Sequence, residues 1–210
     1  MKQNILLSFF CVVLFAIVFA GCGPSNQLII PSEITRPPVV DPSFAEPHGA
    51  ARVAVMDFSY TPPDEPNVIG RDYDRVRQVV WEGDPGSLLA DLVAGSLSEQ
   101  GVPVSRLKAG DPATDNFSSV IKGTVRRFGV DIRRRNMVNV HIDTTVEMTL
   151  SVSGRDVPVP WETSVSSNAV SQEVFPLPDE IRKALSSVAN SAADEAVRRL
   201  RERGIAGSPR

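Results

Sequence analysis

His141 is where a catalytic reading of this chain has to begin, because the only other histidine, His48, stands among prolines and reads as solvated. A nucleophilic hydrolase needs a serine or cysteine beside a histidine base, and no Gly-x-Ser-x-Gly elbow is present. His141 and Asp143 fall on the same face of a strand, but two ligands do not close a metal site. The carboxylates Asp131, Asp143 and Glu147 read as partners for neighbouring arginines across a strand pair. No glycine-rich loop follows a strand in phosphate-cradling form. The expectation is therefore no catalytic residue, no metal and no cofactor. The arginines are the more informative set: Arg126, Arg127, Arg133, Arg134 and Arg135 crowd one strand and its turn. Solubility and protection of a sheet edge would account for them. The functional alternative is a basic patch for lipid head groups, glycan or an acidic protein surface. Trp81 and Trp161 read as residues packed over a sheet, with Trp161 in phase with a buried face.

Composition and the N-terminus narrow the setting. The chain of 210 residues has a net charge of -3 and is 42% hydrophobic, which is globular and argues against nucleic-acid binding. Of its two cysteines, Cys11 lies inside an apolar N-terminal run and Cys22 ends it, so no disulfide framework or cysteine metal site is available. Lys2, the apolar run 5–19 and the small residues Ala20 and Gly21 have the form of an export signal over residues 1–21. A retained membrane helix would need about this length too. Phe19-Ala20-Gly21-Cys22 resembles the lipobox of bacterial lipoproteins, although Phe19 replaces the usual leucine; Val18-Phe19-Ala20 could also serve as an ordinary cleavage site. By that resemblance Cys22 is the lipidated residue and the protein's contact with the membrane. Two or more acyl chains anchor stably, at ~0.8 kcal/mol per buried methylene. Gly23 is not the aspartate that retains lipoproteins in the inner membrane of enteric bacteria, so the likeness implies the outer membrane, facing the periplasm.

Residues 22–50 hold six prolines and no sustained periodicity, which predicts an extended tether. As a flexible coil such a segment would span about 30 Å, leaving the folded part free to search. One domain over residues 51–205 follows, with a disordered tail at 206–210. Around 150 residues can bury roughly 70% of the unfolded surface, so no staples are needed. Its organising stretch is 137–153, where every even position from Val138 to Val152 is apolar or threonine and every odd one is polar. That is a strand with one buried and one wet face. The reading is α+β: a mostly antiparallel sheet with two helices on one face. A first strand over 52–60, apolar on both sides, belongs inside the sheet. The segment 61–83 is a long loop in which 76–81 is either a short strand or a lid. A helix capped by Asp84 ends at Gly101, and a short strand follows over 103–107. In the strand 117–132 the apolar parity slips between Val125 and Phe128, which predicts a β-bulge at Arg126-Arg127. Residues 133–136 turn it into the central strand. A third strand over 157–170 would bury Val157, Val159, Trp161, Val165 and Ala169 on one face, with Pro158 and Pro160 at an edge. A helix over 178–203 closes the domain, with a stripe of Ile181, Leu185, Val188, Ala192, Ala196 and Leu200.

This order of elements is similar to that of YajG-like lipoproteins. The segment 86–104 (GSLLADLVAGSLSEQGVPV) resembles their helix and strand, and 120–131 (VIKGTVRRFGVD) their next strand. Auxiliary lipoprotein subunits of ABC-type envelope transporters share the plan more distantly. The resemblance implies a non-enzymatic lipoprotein that acts by binding an envelope protein partner, as an auxiliary subunit of a lipid transport system. The other expectation, from tethered outer-membrane lipoproteins in general, is a regulator of a cell-wall synthase. Arg126, Arg127, Arg133, Arg134, Arg135 and the loop 61–83 are the expected contact residues; oligomeric state is not legible.

Overall fold

Sixteen consecutive residues, Ser119–Arg134, form one strand that borders four of the eight others. The computed structural model describes residues 27–32, 53–62, 65, 67–72, 77–108, 110, 117–175 and 177–205. The signal segment, Cys22, His48, the loop at Asp111-Pro112, the 206–210 tail and all of the expected tether apart from 27–32 lie outside the described residues. In chain order the elements are β1 (Gln27–Pro31), β2 (Val53–Met56), β3 (Ser59–Tyr60), β4 (Val68–Arg71), β5 (Gln78–Glu82), α1 (Pro85–Glu99), β6 (Val104–Leu107), β7 (Ser119–Arg134), β8 (Val140–Ser153), β9 (Trp161–Glu173) and α2 (Pro178–Glu202).

Along one edge β7 pairs antiparallel with β8, and β8 with β9. Along its other edge three short strands meet it in turn, all parallel: β2 at Ser119 to Ile121, β3 at Thr124 and Val125, β4 at Val130 and Asp131. The sheet forks there. One branch continues from β2 to β6, the other from β4 to β5 and β1. The class is α+β with a mixed sheet, in which the antiparallel meander β7–β8–β9 supplies most of the ladder. The hub is β7 rather than β8, because only β7 is bordered by strands from both halves of the chain.

Burial follows the side-chain period. β8 alternates buried and half-buried without a break from Val140 to Ser153. In β7 the register slips between Val125 and Arg127, leaving Arg126 as the extra residue. The bulge puts Phe128, Val130 and Ile132 in the same core as Ile121 and Val125. Both helices lie on that face and touch each other through α1 and α2. Ser96 on α1 donates to Asp194 on α2 at 2.8 Å, which gives the contact one polar fix. β2 is buried on both faces: Val53 and Val55 join the main core, whereas Ala54 and Met56 join a small second cluster with Phe117 and Val120.

The helices start and stop where local chemistry dictates. The Asp84 carboxylate accepts from the Gly86 and Ser87 amides at 3.1 and 3.0 Å, and Pro85 gives up no hydrogen bond at the first position. At the other end Gly101 takes φ +79 while Val102 N donates to Leu97 O. α2 ends identically, with Gly204 at φ +78 and Ile205 N on Leu200 O. Each is a Schellman stop that a side chain at the glycine would strain.

Four expectations need correction. Residues 27–31 are not tether: β1 pairs parallel with β5 and sinks Ile30 completely into the core. Two apolar positions in alternation, Leu28 and Ile30, are too short a signal to stand out against the prolines around them. The segment 61–83 is not one loop but contains β4 and β5. Val138 and Met137 do not start the buried face; they project from the hairpin, 62% and 99% exposed. The third strand begins only at Trp161, since Pro158 and Pro160 offer no donors; Val159 is exposed ahead of it, and Ala169 is exposed along an outer strand that has a partner on one side only.

Candidate functional site

The bulge does more than repair parity. Alternation would bury one of two adjacent residues, but Arg126 and Arg127 are both exposed while Val125 and Phe128 on either side are buried. Arg126 Nε donates to Thr149 Oγ1 at 3.1 Å, and Arg127 stands opposite Glu147 in register. On the edge of β7 beside them, β3 has ended at Val125 and β4 has not yet begun at Val130. The gap is a notch of about 490 Å³, lined by Tyr60, Ile69, Arg71, Arg126, Arg127 and Asp131 among others. Gly70 makes the close approach of β4 possible, since a Cβ there would lie 1.9 Å from Val130 O. Half-burial raises the Tyr60 phenol above its ordinary pKa, so it remains a hydroxyl donor at the notch wall. Among the described residues neither Arg71 nor Arg127 has an ion-pair or hydrogen-bond partner. The notch thus offers guanidinium charge and an unpaired stretch of strand edge.

The other three arginines lie about seven residues further along, roughly 20 Å away at strand rise. Arg133 is committed. It donates to Asp131 Oδ2 from Nη2 at 2.5 Å and lies 3.7 Å from Asp143 Oδ2, so it separates two carboxylates that the register sets opposite each other. The hydrogen bond to Asp131, then the charge of that carboxylate, raises the Arg133 pKa. Arg135 donates to Gln172 Oε1 at 3.0 Å and lies 3.3 Å from His141 Nε2. The Asn136 side chain accepts from the Val138 and Asn139 amides at 2.9 and 2.8 Å, which folds the turn and turns Met137 outward. Beside this tip, the segment between β9 and α2 presents Val174, Phe175 and Leu177, all exposed. A shallow groove of about 280 Å³ runs between the two, with Arg134 in its wall.

Sequence reasoning grouped five arginines; the fold divides them into a notch pair, a clamp and a tip pair. It did not find Arg71, which only the pairing of β4 with β7 brings to the notch, nor the apolar tip, whose Val138 fitted the alternation of the strand. Trp81 is a core residue: fully buried, its ring meets Phe128 edge-on at 5.3 Å. Trp161 is half-buried under the guanidinium of Arg203, 5.4 Å from the ring centroid. No cluster of three or more metal-ligating side chains occurs among the described residues.

The sequence matches no protein-family model, and no curated protein matches it. Solved structures do. Protein XCC0632 from Xanthomonas campestris, of the family DUF330, overlays with a TM-score of 0.52 at 14% identity, covering 80% of this chain and 91% of that one. The PelC dodecamer from Paraburkholderia phytofirmans gives 0.42 at 15% identity, over 76% of this chain and 90% of that one. A minor lipoprotein from Acinetobacter baumannii gives 0.40 at 10%, over 72% and 93%. The first likeness establishes a shared fold. The chain is thus an α+β domain that shares the fold of XCC0632, with two exposed basic surfaces on the rim of its sheet.

Proposed function

We propose that this protein is a lipid-anchored, non-catalytic binding component of the bacterial envelope, facing the periplasm from the outer membrane, and an auxiliary subunit of an envelope lipid transport system. Cys22 carries the anchor, on the strength of the Phe19-Ala20-Gly21-Cys22 sequence. The observation that supports binding rather than turnover is the notch: Arg71, Arg126 and Arg127 converge on a free strand edge, and its lining residues include no histidine, serine, threonine or cysteine. An extended acidic segment of a partner fits such a place, since the edge supplies backbone hydrogen bonds and the guanidiniums supply charge.

The test is a double reversal, Arg71→Glu with Arg127→Glu, in the full-length chain expressed in its own envelope. Capture of the partner should weaken by roughly tenfold or more, as for lost charge pairs at an interface. The thermal midpoint should stay within a few degrees, because both side chains are exposed. Recovery of transporter subunits by the unaltered chain supports the reading. Recovery of a cell-wall synthase instead would make the protein a synthase regulator, and a large loss of stability would make the arginines structural.

A further inference from the structure

Register fixes which end of the sheet the anchor leaves from. Gln27 is level with Gln78, Gln78 with Arg71, Arg71 with Asp131, and Asp131 with Asp143. β1 runs away from that level, parallel to β5 and against β4 and β7. The chain before Gln27 therefore enters from the end where β7 turns into β8. The same end holds the segment after β9, because Val140 pairs with Glu173. Cys22 is five residues before Gln27, a reach of at most about 17 Å. The hairpin tip stands beyond the Gln27 level by three strand residues plus the turn, roughly 15 Å. The two distances are equal within their precision.

The chemistry of that end matches its place. Eight large hydrophobic residues are well exposed among the described residues. Only Ile29 and Val159 lie elsewhere; Met137, Val138, Val170, Val174, Phe175 and Leu177 are gathered at this end. Two of the acidic side chains nearby are paired: Arg182 binds Asp179, and Lys183 binds Glu180. Arg135, by contrast, is held by Gln172 and His141. Apolar side chains at a tip with arginines one turn behind them suit the boundary between acyl chains and phosphate groups.

We infer that the β7–β8 tip and the β9–α2 segment rest in the surface of the same bilayer that holds the Cys22 anchor, with Met137, Val138, Phe175 and Leu177 at the acyl boundary and Arg134 and Arg135 among the lipid phosphates. This rests on the lipid-anchor reading of Cys22. It makes the domain a body seated on the membrane and orients the β7 notch sideways, above the lipid surface. On this reading five residues separate Cys22 from the first residue of β1.

The test uses the full-length chain in intact cells, with a photoreactive phenylalanine analogue at Met137, at Phe175, or at Val159 on the opposite end. Acylation is read in the same samples by labelled palmitate, with Cys22→Ser as its control. The expected result is a palmitate-labelled protein whose phospholipid adduct is about tenfold stronger from 137 and 175 than from 159. A labelled protein with no lipid adduct at 137 and 175, or with adducts there to another protein or a second copy of this chain, overturns the seating while leaving the anchor intact. Absence of label on the unaltered chain overturns both.

Discussion

A carboxylate gripped by two guanidiniums gives up its charge late, and Glu195 near the end of α2 is so held. Arg198 donates to it at 2.6 Å and Arg199 at 2.7 Å. The hydrogen bonds from Arg198 and then Arg199 hold its pKa at about 2, well below the ordinary 4.5. A group depressed in the folded state adds stability that is complete above its unfolded pKa and is lost as pH falls through the folded one. The contribution should therefore be nearly whole at pH 5 and mostly lost by pH 2. Urea midpoints of the unaltered chain and of Glu195→Gln should differ at pH 5 and converge as pH drops to 2. Arg199 also reaches Thr163 Oγ1 at 3.3 Å and the Ser164 carbonyl, so the group fastens α2 to β9. Arg106 plays the corresponding part for α1. Its guanidinium binds Asp91 at 2.7 Å, the Val55 carbonyl at 2.6 Å and Asp57 at 2.7 Å, joining β6, α1 and β2. Arg106→Ala leaves the Val55 carbonyl and Asp57 without this donor and should cost about 2 kcal/mol, read by chemical denaturation.

The bulge makes a different kind of prediction, about phase. Because Arg126 is the extra residue, deleting it leaves Phe128, Val130 and Ile132 on the core side with Ile121 and Val125. Deleting Thr144 from β8 would instead turn half of an unbroken alternation inside out. Circular dichroism and thermal melting should show a folded, cooperative protein for the first deletion and an unfolded or aggregated one for the second. The bulge was legible in the sequence for this same reason: a parity slip across six residues has few other meanings. β8, both helices and their stops were legible because each carries a long period or a specific capping chemistry. What was not legible is pairing. Nothing in Val68-Ile69-Gly70-Arg71 announces that it lies parallel against Val130 and Asp131, so the notch was invisible although two of its arginines had been picked out. The tip failed differently: Val138 obeys the strand alternation, and only the turn built by Asn136 removes it from the strand.

At the scale of the whole molecule the question is whether the domain hangs on a leash or sits on its anchor, and one side chain decides it. Ile30 is fully buried, whereas its neighbour Ile29 is 46% exposed on the other face of the same strand. β1 borders only β5, which is packed on Phe128 of β7 through Trp81. Its stability inside the sheet therefore depends on what Ile30 fills. If β1 belongs to the fold, Ile30→Ala removes buried side-chain volume and should cost about 3 kcal/mol, a fall of roughly 10 °C in Tm for a domain of this size. Ile29→Ala should change it by no more than about 0.5 kcal/mol. A leash makes no such distinction, because neither isoleucine would have a core to leave. The measurement is thermal unfolding of the two variants side by side. Equal, small shifts would return residues 27–31 to the linker and lengthen the chain between membrane and domain several-fold. A large shift for Ile30 alone keeps Gln27 at the hairpin end of the sheet, and the distance from there to Cys22 remains five residues.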